Sequence, residues 1–380
     1  MRPRRHDRSS RQRQTWSRVL LGAVAALVGA CAAARVEPAV LERYSYAHAA
    51  MGTRFDLTLY AFDRESARTA ALAAFDRIDA IEAVATDYDA SSEARELCRR
   101  AIRRWVPVSP DLAAVLRASD RAVRTSEGAF DPTVGPMTRL WRRALRERRW
   151  PTAERWERAR AQCGWIDLVE LRDAEGGLEV RLLETEMRLD FGGVAKGVAV
   201  DEALARLVDE GIEHAQMDGG GDLAALEPPP DEEGWRIAVE PTEARPASFF
   251  LLARGAIATS GDRFQSAELS GTPPAGLTTA ATQYGHVLDP RVGLPLPSPR
   301  AAVMTAPNAA EADAYATARL VLGSIRTGVP ALERGVFYGP FGEEPCVGTA
   351  FPHDGATPVE PEDAEPDAES EEPDDSPPAR

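Results

Sequence analysis

Apolar residues follow two kinds of spacing along the chain, and each predicts a type of secondary structure. Phe55, Leu57 and Leu59 alternate with polar residues, which is typical of a half-buried strand. From Ser66 to Val84 the apolar residues recur at helical spacing, which predicts a helix. Three later segments also predict strands: Trp235 to Val239, Phe249 to Leu252 and Ala301 to Thr305.

Capping residues predict where three further helices begin or end. Ser109, followed by a proline, opens one of them, because Ser caps a first turn and Pro is tolerated at its first position. A second helix runs from about Val198 to Val208 and ends near Gly211. The third runs from Ala309 to Leu322 and is closed by Gly323. Because helices and strands do not alternate regularly, we expect an α+β fold with two lobes rather than a doubly wound sheet.

The N-terminal segment has the pattern of a secretory signal. Residues 1–30 hold seven Arg and one Asp, and an apolar run ends at Ala30. The segment Val28 to Cys31 resembles a bacterial lipobox, in which the Cys becomes the lipidated first residue of the mature protein. An ordinary signal peptide with an incidental Cys is the alternative. We therefore expect a lipoprotein signal peptide over 1–30, a linker over 31–43, and a lipid anchor at Cys31 that holds the protein to the membrane on the periplasmic side of the cell envelope.

The rest of the chain is expected to be one domain and a tail. Residues 44–351 are long enough for a single globular domain of about 300 residues. Residues 352–380 hold eleven acidic residues and one Arg and have almost nothing apolar to bury. We expect this acidic tail to be disordered.

Composition and charge exclude several classes of protein. With 44% apolar residues in 380 and only 4 Cys, the chain is neither disordered throughout nor a disulfide scaffold. A net charge of −15 argues against nucleic acid as a partner, since affinity for nucleic acid comes mostly from Lys and Arg. If Cys31 is lipidated, at most one disulfide can form among Cys98, Cys163 and Cys346, and the sequence does not assign it.

Lys196 is the only lysine among 45 basic residues, and it lies in a glycine-rich segment, Leu189 to Gly197. Such a loop lets a ligand approach the backbone, the helix that follows offers unpaired N–H groups, and the lysine adds a point charge. Together these features favour a phosphate or pyrophosphate ligand. A tight turn followed by a surface lysine is the alternative.

Two other places carry candidate chemistry. Asp313 and Thr317 stand four apart on a predicted helix, so they share a face and can offer oxygen ligands to a hard cation such as Mg²⁺. Alternatively, the Asp is exposed and the Thr bonds back to its own helix. His286 lies where a predicted strand runs into a turn, with Asp289 near enough to orient it, although a buried structural His has the same pattern.

Taken in order along the chain, these and other motifs resemble those of the ApbE family of FAD:protein FMN transferases. The resemblance covers about Tyr44 to Leu322. Its seven motifs are Met51-Gly52-Thr53, Ala129 to Pro136, Leu189 to Gly197, Asp218 to Asp222, Thr259-Ser260-Gly261, His286 to Pro290 and Glu311 to Thr317.

The resemblance implies an α+β fold with FAD in a cleft between the lobes and a Mg²⁺-dependent transfer of FMN to a Thr or Ser hydroxyl of an acceptor protein, with release of AMP. It implies that Asp313 and Thr317 supply side-chain ligands to Mg²⁺ and that Gly193 supplies its carbonyl. His286 matches the histidine proposed as the base, and Lys196 is expected to act on the pyrophosphate. The positions that match the lining of the FAD site are Met51, Tyr88, Ala129, Phe130, Asp131, Asp190 and Lys196.

The expected acceptors are flavin-bearing subunits of membrane redox complexes. Two other functions stay open at this point. A Mg²⁺-dependent FAD pyrophosphatase would use the same groups with water in place of the acceptor hydroxyl. A periplasmic FAD-binding lipoprotein would hold the cofactor without turning it over.

Overall fold

The computed structural model describes residues 40–239, 248–261, 266–274, 283–323, 328–338 and 356–359. The helices are α1 (Arg64–Ala85), α2 (Glu93–Arg100), α3 (Pro110–Thr125), α4 (Gly135–Glu147), α5 (Ala153–Arg160), α6 (Trp165–Leu168), α7 (Ala195–Asp209) and α8 (Ala309–Leu322), with 3₁₀ turns at Pro132–Val134 and Pro330–Glu333. The strands are β1 (Glu42–Ala50), β2 (Thr53–Ala61), β3 (Val106–Pro107), β4 (Val169–Ala174), β5 (Gly177–Leu182), β6 (Ala215–Gly219), β7 (Asp222–Ala225), β8 (Trp235–Val239), β9 (Ser248–Leu252), β10 (Gly255–Gly261), β11 (Ser266–Ala267), β12 (Tyr284–Asp289), β13 (Leu294–Pro297), β14 (Ala301–Ala306), β15 (Gly335–Tyr338) and β16 (Ala356–Val359).

A seven-stranded sheet organises the described residues. Its strand order is β1-β2-β6-β7-β10-β14-β15, and every neighbouring pair is antiparallel. Helices α1, α7 and α8 pack together and contact this sheet. Phe55, Leu57 and Leu59 of β2 are fully buried in the core that these helices help to form, as their alternation predicts.

The central strands of this sheet bury side chains on both faces. Along β7, Ala224 joins the core shared with the helices, whereas Leu223 joins a second cluster. That second cluster includes Trp235 and Phe250, which belong to a separate sheet with the strand order β16-β9-β8. The helices, the seven-stranded sheet and the smaller sheet therefore form three layers, and the middle strands read as apolar runs because neither face meets solvent.

A smaller lobe is built around tryptophans. Trp141 stacks on Trp150 with ring centroids 5.2 Å apart and meets Trp156 edge to face. The indole of Trp141 donates to the carbonyl of Gly285 at 2.9 Å. These contacts join α4 and α5 to strand β12, the strand that carries His286.

The predicted elements are present, with shifts at some of their ends. Ser109 caps α3 by accepting from the backbone N of Leu112, and α8 has the predicted bounds with Gly323 after it at a φ of 63°. Helix α7 begins at Ala195, three residues before the predicted start, because the carbonyl of Phe191 accepts from its N–H. Helices α2, α4, α5 and α6 were not predicted from the sequence.

The structure bears on the predictions made for the two ends of the chain. Residues 1–39, with the predicted signal and Cys31, lie outside the described residues, and β1 begins at Glu42, inside the predicted linker. The prediction of disorder is wrong for four residues of the tail, because Ala356–Val359 pairs antiparallel with β9. Those four residues carry no charge, and the dense acidic run begins only after them.

Cys98 and Cys163 are both free thiols, and Cys346 lies outside the described residues. Among the described helices, none is long and apolar enough to cross a membrane.

Candidate active site

Lys196 lies between two buried carboxylates. Its Nζ donates a hydrogen bond to Oδ2 of Asp222 and lies 3.5 Å from Oδ2 of Asp313. The same Asp313 oxygen accepts a hydrogen bond from the backbone N of Gly197 at 3.3 Å. The carboxylates are 3% and 5% exposed and the lysine side chain 25%, so the cluster opens to solvent only at the lysine.

Three elements bring these groups together. Lys196 is in the first turn of α7, Asp222 begins β7, and Asp313 is in the second turn of α8. A further carboxylate, Asp201, ties the helices to each other, since it accepts from the backbone N of Ala309 and Ala310 at 2.8 and 2.9 Å. These two N–H groups have no partner inside their own helix, so Asp201 caps α8 from α7.

Burial shifts the protonation of the three charged groups of this cluster. Burial raises the pKa of Asp222 and of Asp313, because charge is costly away from water. Burial alone would lower the pKa of Lys196, but the two carboxylates outweigh it and raise that pKa, so the lysine keeps its proton. When both carboxylates are ionised, they and the ammonium carry one net negative charge, and an additional cation nearby would favour this ionised state.

The predicted metal ligands lie next to this cluster. A Cβ built on Gly193 would come 2.9 Å from Oγ1 of Thr317, so the backbone at Gly193 lies against that hydroxyl. Thr317 follows Asp313 by one helical turn. No group of three or more His, Cys, Asp or Glu side chains is placed to hold a metal within the described ranges. The available donors are instead one carboxylate, one hydroxyl and a carbonyl, which are hard oxygen ligands of the kind that Mg²⁺ takes.

The motif Ala129 to Asp131 supports the glycine loop from inside the fold. Ala129 and Phe130 are buried, and Cε2 of Phe130 lies 3.3 Å from where a Cβ on Gly193 would be. Asp131 directs its carboxylate inward, where it accepts from N and Oγ1 of Thr133 and from the backbone N of Trp165. Its polar partners are therefore groups of the protein, and burial raises its pKa.

Two glycine turns meet beside Asp222. Met51 and Gly52 form the two-residue turn between β1 and β2, both with positive φ, which is typical of a tight hairpin. A Cβ on Gly220 would come 2.4 Å from Oγ1 of Thr53, so the loop before β7 lies against this turn. The loop is held by Asp218, whose Oδ1 accepts from the N of Gly221 at 2.7 Å.

Asp190 lies at the other end of the glycine loop and belongs to an ion-pair network. Its Oδ1 accepts from the N of Gly192 at 3.0 Å, and its Oδ2 lies 3.0 Å from a guanidinium nitrogen of Arg142. A second nitrogen of Arg142 donates to Oδ2 of Asp87 at 3.1 Å. The guanidinium also lies 5.3 Å from the ring centroid of Tyr88, whose side chain points into solvent.

His286 lies on β12, which contacts α8, the helix of Asp313, and α4 of the tryptophan lobe. The imidazole is half-buried. The Asp289 carboxylate accepts three hydrogen bonds from Arg291 at 2.8 to 3.0 Å, and its orienting role toward His286 stays a prediction. His286 likewise stays a predicted base, on a strand that packs beside α8.

Sequence reasoning missed three residues of this region. Asp201 has no motif around it, and a helix capped by a side chain from another helix leaves no local signal. Asp87 and Arg142 were missed because the chain contains 60 acidic and 45 basic residues, and the sequence does not show which of them form ion pairs.

The sequence is similar to those of a known protein family. The model of the ApbE family matches residues 51–334. A FAD:protein FMN transferase of Chlamydia muridarum is 28% identical over 244 residues, 63% of this chain and 72% of that protein. The enzyme of the same name from Salmonella typhimurium is 28% identical over 285 residues, 72% of this chain and 77% of its own.

Two solved structures have a fold similar to that of this chain. The ApbE protein of Thermotoga maritima superposes with a TM-score of 0.63 at 26% identity, over 74% of this chain and 87% of that one. The flavinyl transferase ApbE of Pseudomonas stutzeri, at 23% identity, shares the fold with a TM-score of 0.66 over 84% and 94%.

The fold is thus the α+β fold found in flavin transferases of known structure. The chain belongs to the ApbE family, since the family model matches more than half of its length. The predictions of an ApbE-type fold and of a transferase enzyme are confirmed.

Proposed function

We propose that this protein transfers FMN from FAD to a Thr or Ser hydroxyl of an acceptor protein in a Mg²⁺-dependent reaction that releases AMP. The observation that carries the proposal is the position of Lys196 between Asp222 and Asp313, with Gly193 against Thr317. Groups suited to a pyrophosphate and groups suited to a hard cation are thereby joined in one cluster at the start of two helices.

Asp313, Thr317 and the carbonyl of Gly193 would hold the Mg²⁺. The excess negative charge of the buried carboxylates and the oxygen character of the donors fit such an ion. When bound, Mg²⁺ supplies positive charge to the phosphoryl oxygens and to the leaving AMP oxygen.

Lys196 places a compact positive charge at the pyrophosphate. Asp222 keeps the ammonium both charged and directed, because this buried carboxylate pairs with it and raises its pKa. His286 accepts the proton of the acceptor hydroxyl. The hydroxyl oxygen then forms a bond to the flavin-side phosphorus while the bond from that phosphorus to the AMP oxygen breaks, which leaves FMN on the acceptor as a phosphoester and AMP as the leaving group.

The test is a product analysis. The purified protein is incubated with FAD, Mg²⁺ and the Thr-bearing flavin subunit of a membrane redox complex, and the products are weighed by mass spectrometry. AMP together with an acceptor heavier by one FMN group supports the transferase. AMP with free FMN and an unmodified acceptor would instead indicate a pyrophosphatase, and intact bound FAD without AMP would indicate a flavin-binding lipoprotein.

We also propose that the protein is lipid-anchored at Cys31 on the periplasmic side of the cell envelope. Support comes from the arginine-rich start, the apolar run and the Cys at its end. Cells given a labelled fatty acid should incorporate it into the wild-type chain and not into Cys31→Ser. Equal labelling of the two would overturn the proposal.

A further inference from the structure

Arg142 connects two separate parts of the flavin-lining region. One guanidinium nitrogen lies 3.0 Å from Oδ2 of Asp190 and another donates to Oδ2 of Asp87 at 3.1 Å. Both carboxylates are largely buried, 9% and 13% exposed, so the guanidinium holds them at fixed positions. A planar guanidinium presents its donors in fixed directions and so binds the two carboxylates through separate nitrogens, which the single nitrogen of a lysine does not reproduce.

The same guanidinium packs against Tyr88. Its central carbon lies 5.3 Å from the ring centroid, within the range of a cation–π contact. The Tyr88 side chain is nevertheless 82% exposed, although large aromatic side chains are usually buried on folding. A ring that is held by a cation and otherwise left open is suited to stack with a planar heteroaromatic group.

Asp190 carries the effect of Arg142 to the loop of Lys196. While Oδ2 of Asp190 pairs with Arg142, Oδ1 accepts from the backbone N of Gly192. The next residue is Gly193, whose backbone lies against Thr317. One side chain therefore links the exposed ring to the loop that leads to the candidate metal and phosphate groups.

We propose that Arg142 is a positioning residue that fixes Tyr88 as the stacking surface for the ring system of the flavin and sets its place relative to the glycine loop. The inference rests on the proposed function, because it takes FAD as the ligand. It goes beyond that function by assigning a role to a residue on α4 that touches Tyr88 and Asp190 rather than the phosphates.

The test compares Arg142→Lys with a matched control on the same helix. Arg143→Lys is that control, because Arg143 is exposed and pairs with Glu147 of its own helix at 2.7 Å. FAD affinity is measured by titration, and the circular dichroism of the visible flavin band reports whether the ring is held in one orientation. Tyr88→Ala and the double variant that combines it with Arg142→Lys complete a double-mutant cycle.

Arg142→Lys should weaken FAD binding about tenfold and reduce the flavin dichroism, while Arg143→Lys leaves both unchanged. The double variant should bind FAD about as weakly as Tyr88→Ala alone, since Arg142 acts through that ring. Wild-type affinity and dichroism in Arg142→Lys, or losses that add fully in the double variant, would overturn the inference. No binding of FAD by the wild-type chain would overturn the proposed function itself, which separates the two failures.

Discussion

Gly197 of α7 and Ala309 of α8 are in such close backbone contact that a Cβ on Gly197 would lie 2.3 Å from the carbonyl oxygen of Ala309. This approach lets the first turns of the two helices meet. Lys196 and Asp313 face each other as a result, and the N of Gly197 reaches Asp313. The last glycine of the loop therefore acts through packing, in addition to any contact with ligand.

Gly197→Ala tests this contact directly. The added methyl must push the helices apart, so we expect the free energy of unfolding to fall by about 2 kcal/mol and activity to fall with it. Gly176→Ala is the control, because a Cβ there meets nothing within 4 Å and its backbone is not in the left-handed region. Urea unfolding of the two variants gives the comparison, and equal stability would contradict the contact as described.

Removing the lysine should lower the stability of the fold as well as the activity. Lys196→Met leaves Asp222 and Asp313 buried without a cation, which costs about 3 to 5 kcal/mol when a buried pair is broken. Adding Asp222→Asn to Lys196→Met should restore part of the loss, since one uncompensated charge then disappears. Denaturant unfolding of the single and double variants measures this, and additive losses would mean that the two residues do not depend on each other.

Asp313→Asn should remove the response of the protein to Mg²⁺. We expect AMP release from FAD to fall roughly 100-fold or more, because a metal ion contributes several kcal/mol to a phosphoryl transition state. The rise of the melting temperature with added Mg²⁺ should also disappear. Asp209→Asn, at the exposed end of α7, is the control and should behave as wild type. An Asp313→Asn protein that Mg²⁺ still stabilises would remove this residue from the ligand set.

His286→Asn tests the proposed base. The variant should bind FAD as tightly as wild type, since Asn keeps a polar group of similar size on β12. Transfer to the acceptor should slow by about 10² to 10⁴, the usual contribution of a general base. Single-turnover measurement of labelled acceptor gives the rate, and a wild-type rate would exclude His286 from proton transfer.

Asp201 should make stability depend on pH. Burial raises its pKa to about 6 from an ordinary value of 3.8, so the folded state holds a proton that the unfolded state has lost between these values. This contribution is complete below pH 3.8 and is lost as the pH rises through about 6. Between pH 4 and 6 the unfolding free energy should therefore fall more with rising pH in wild type than in Asp201→Asn. Asp209→Asn is again the control, and identical slopes in all three proteins would contradict the assignment.

The sequence predicted those parts of the site that lie on one element. Asp313 and Thr317 share a face of α8 because helical spacing requires it, and the structure places that face toward Gly193. The end of α8 was predicted from the glycine that follows it, and the structure shows that Asn308 caps its start by accepting from the backbone N of Glu311. Local chemistry sets each of these features.

Contacts between different helices and strands could not be predicted from the sequence. That Asp222 is the hydrogen-bonded partner of Lys196 depends on which face of β7 it occupies, and this follows from the pairing of β7 with β6 and β10. The cap by Asp201 and the bridge by Arg142 depend in the same way on helix packing. The strand at Ala356–Val359 was hidden by the acidic residues after it, whereas its partner β9 decides its structure.

Strand β7 has only four residues, and it presents Asp222 to the helices and Leu223 to the smaller sheet. A slip of one position in its pairing would exchange these two side chains, placing a carboxylate among tryptophan and phenylalanine and an aliphatic group beside the ammonium. Both changes would lower the stability of the fold, because a carboxylate would be buried without a partner and an ammonium would lose one. The register of β7 that is favourable for stability is therefore the same register that brings Asp222 to Lys196, so folding and assembly of the charged cluster depend on one strand pairing.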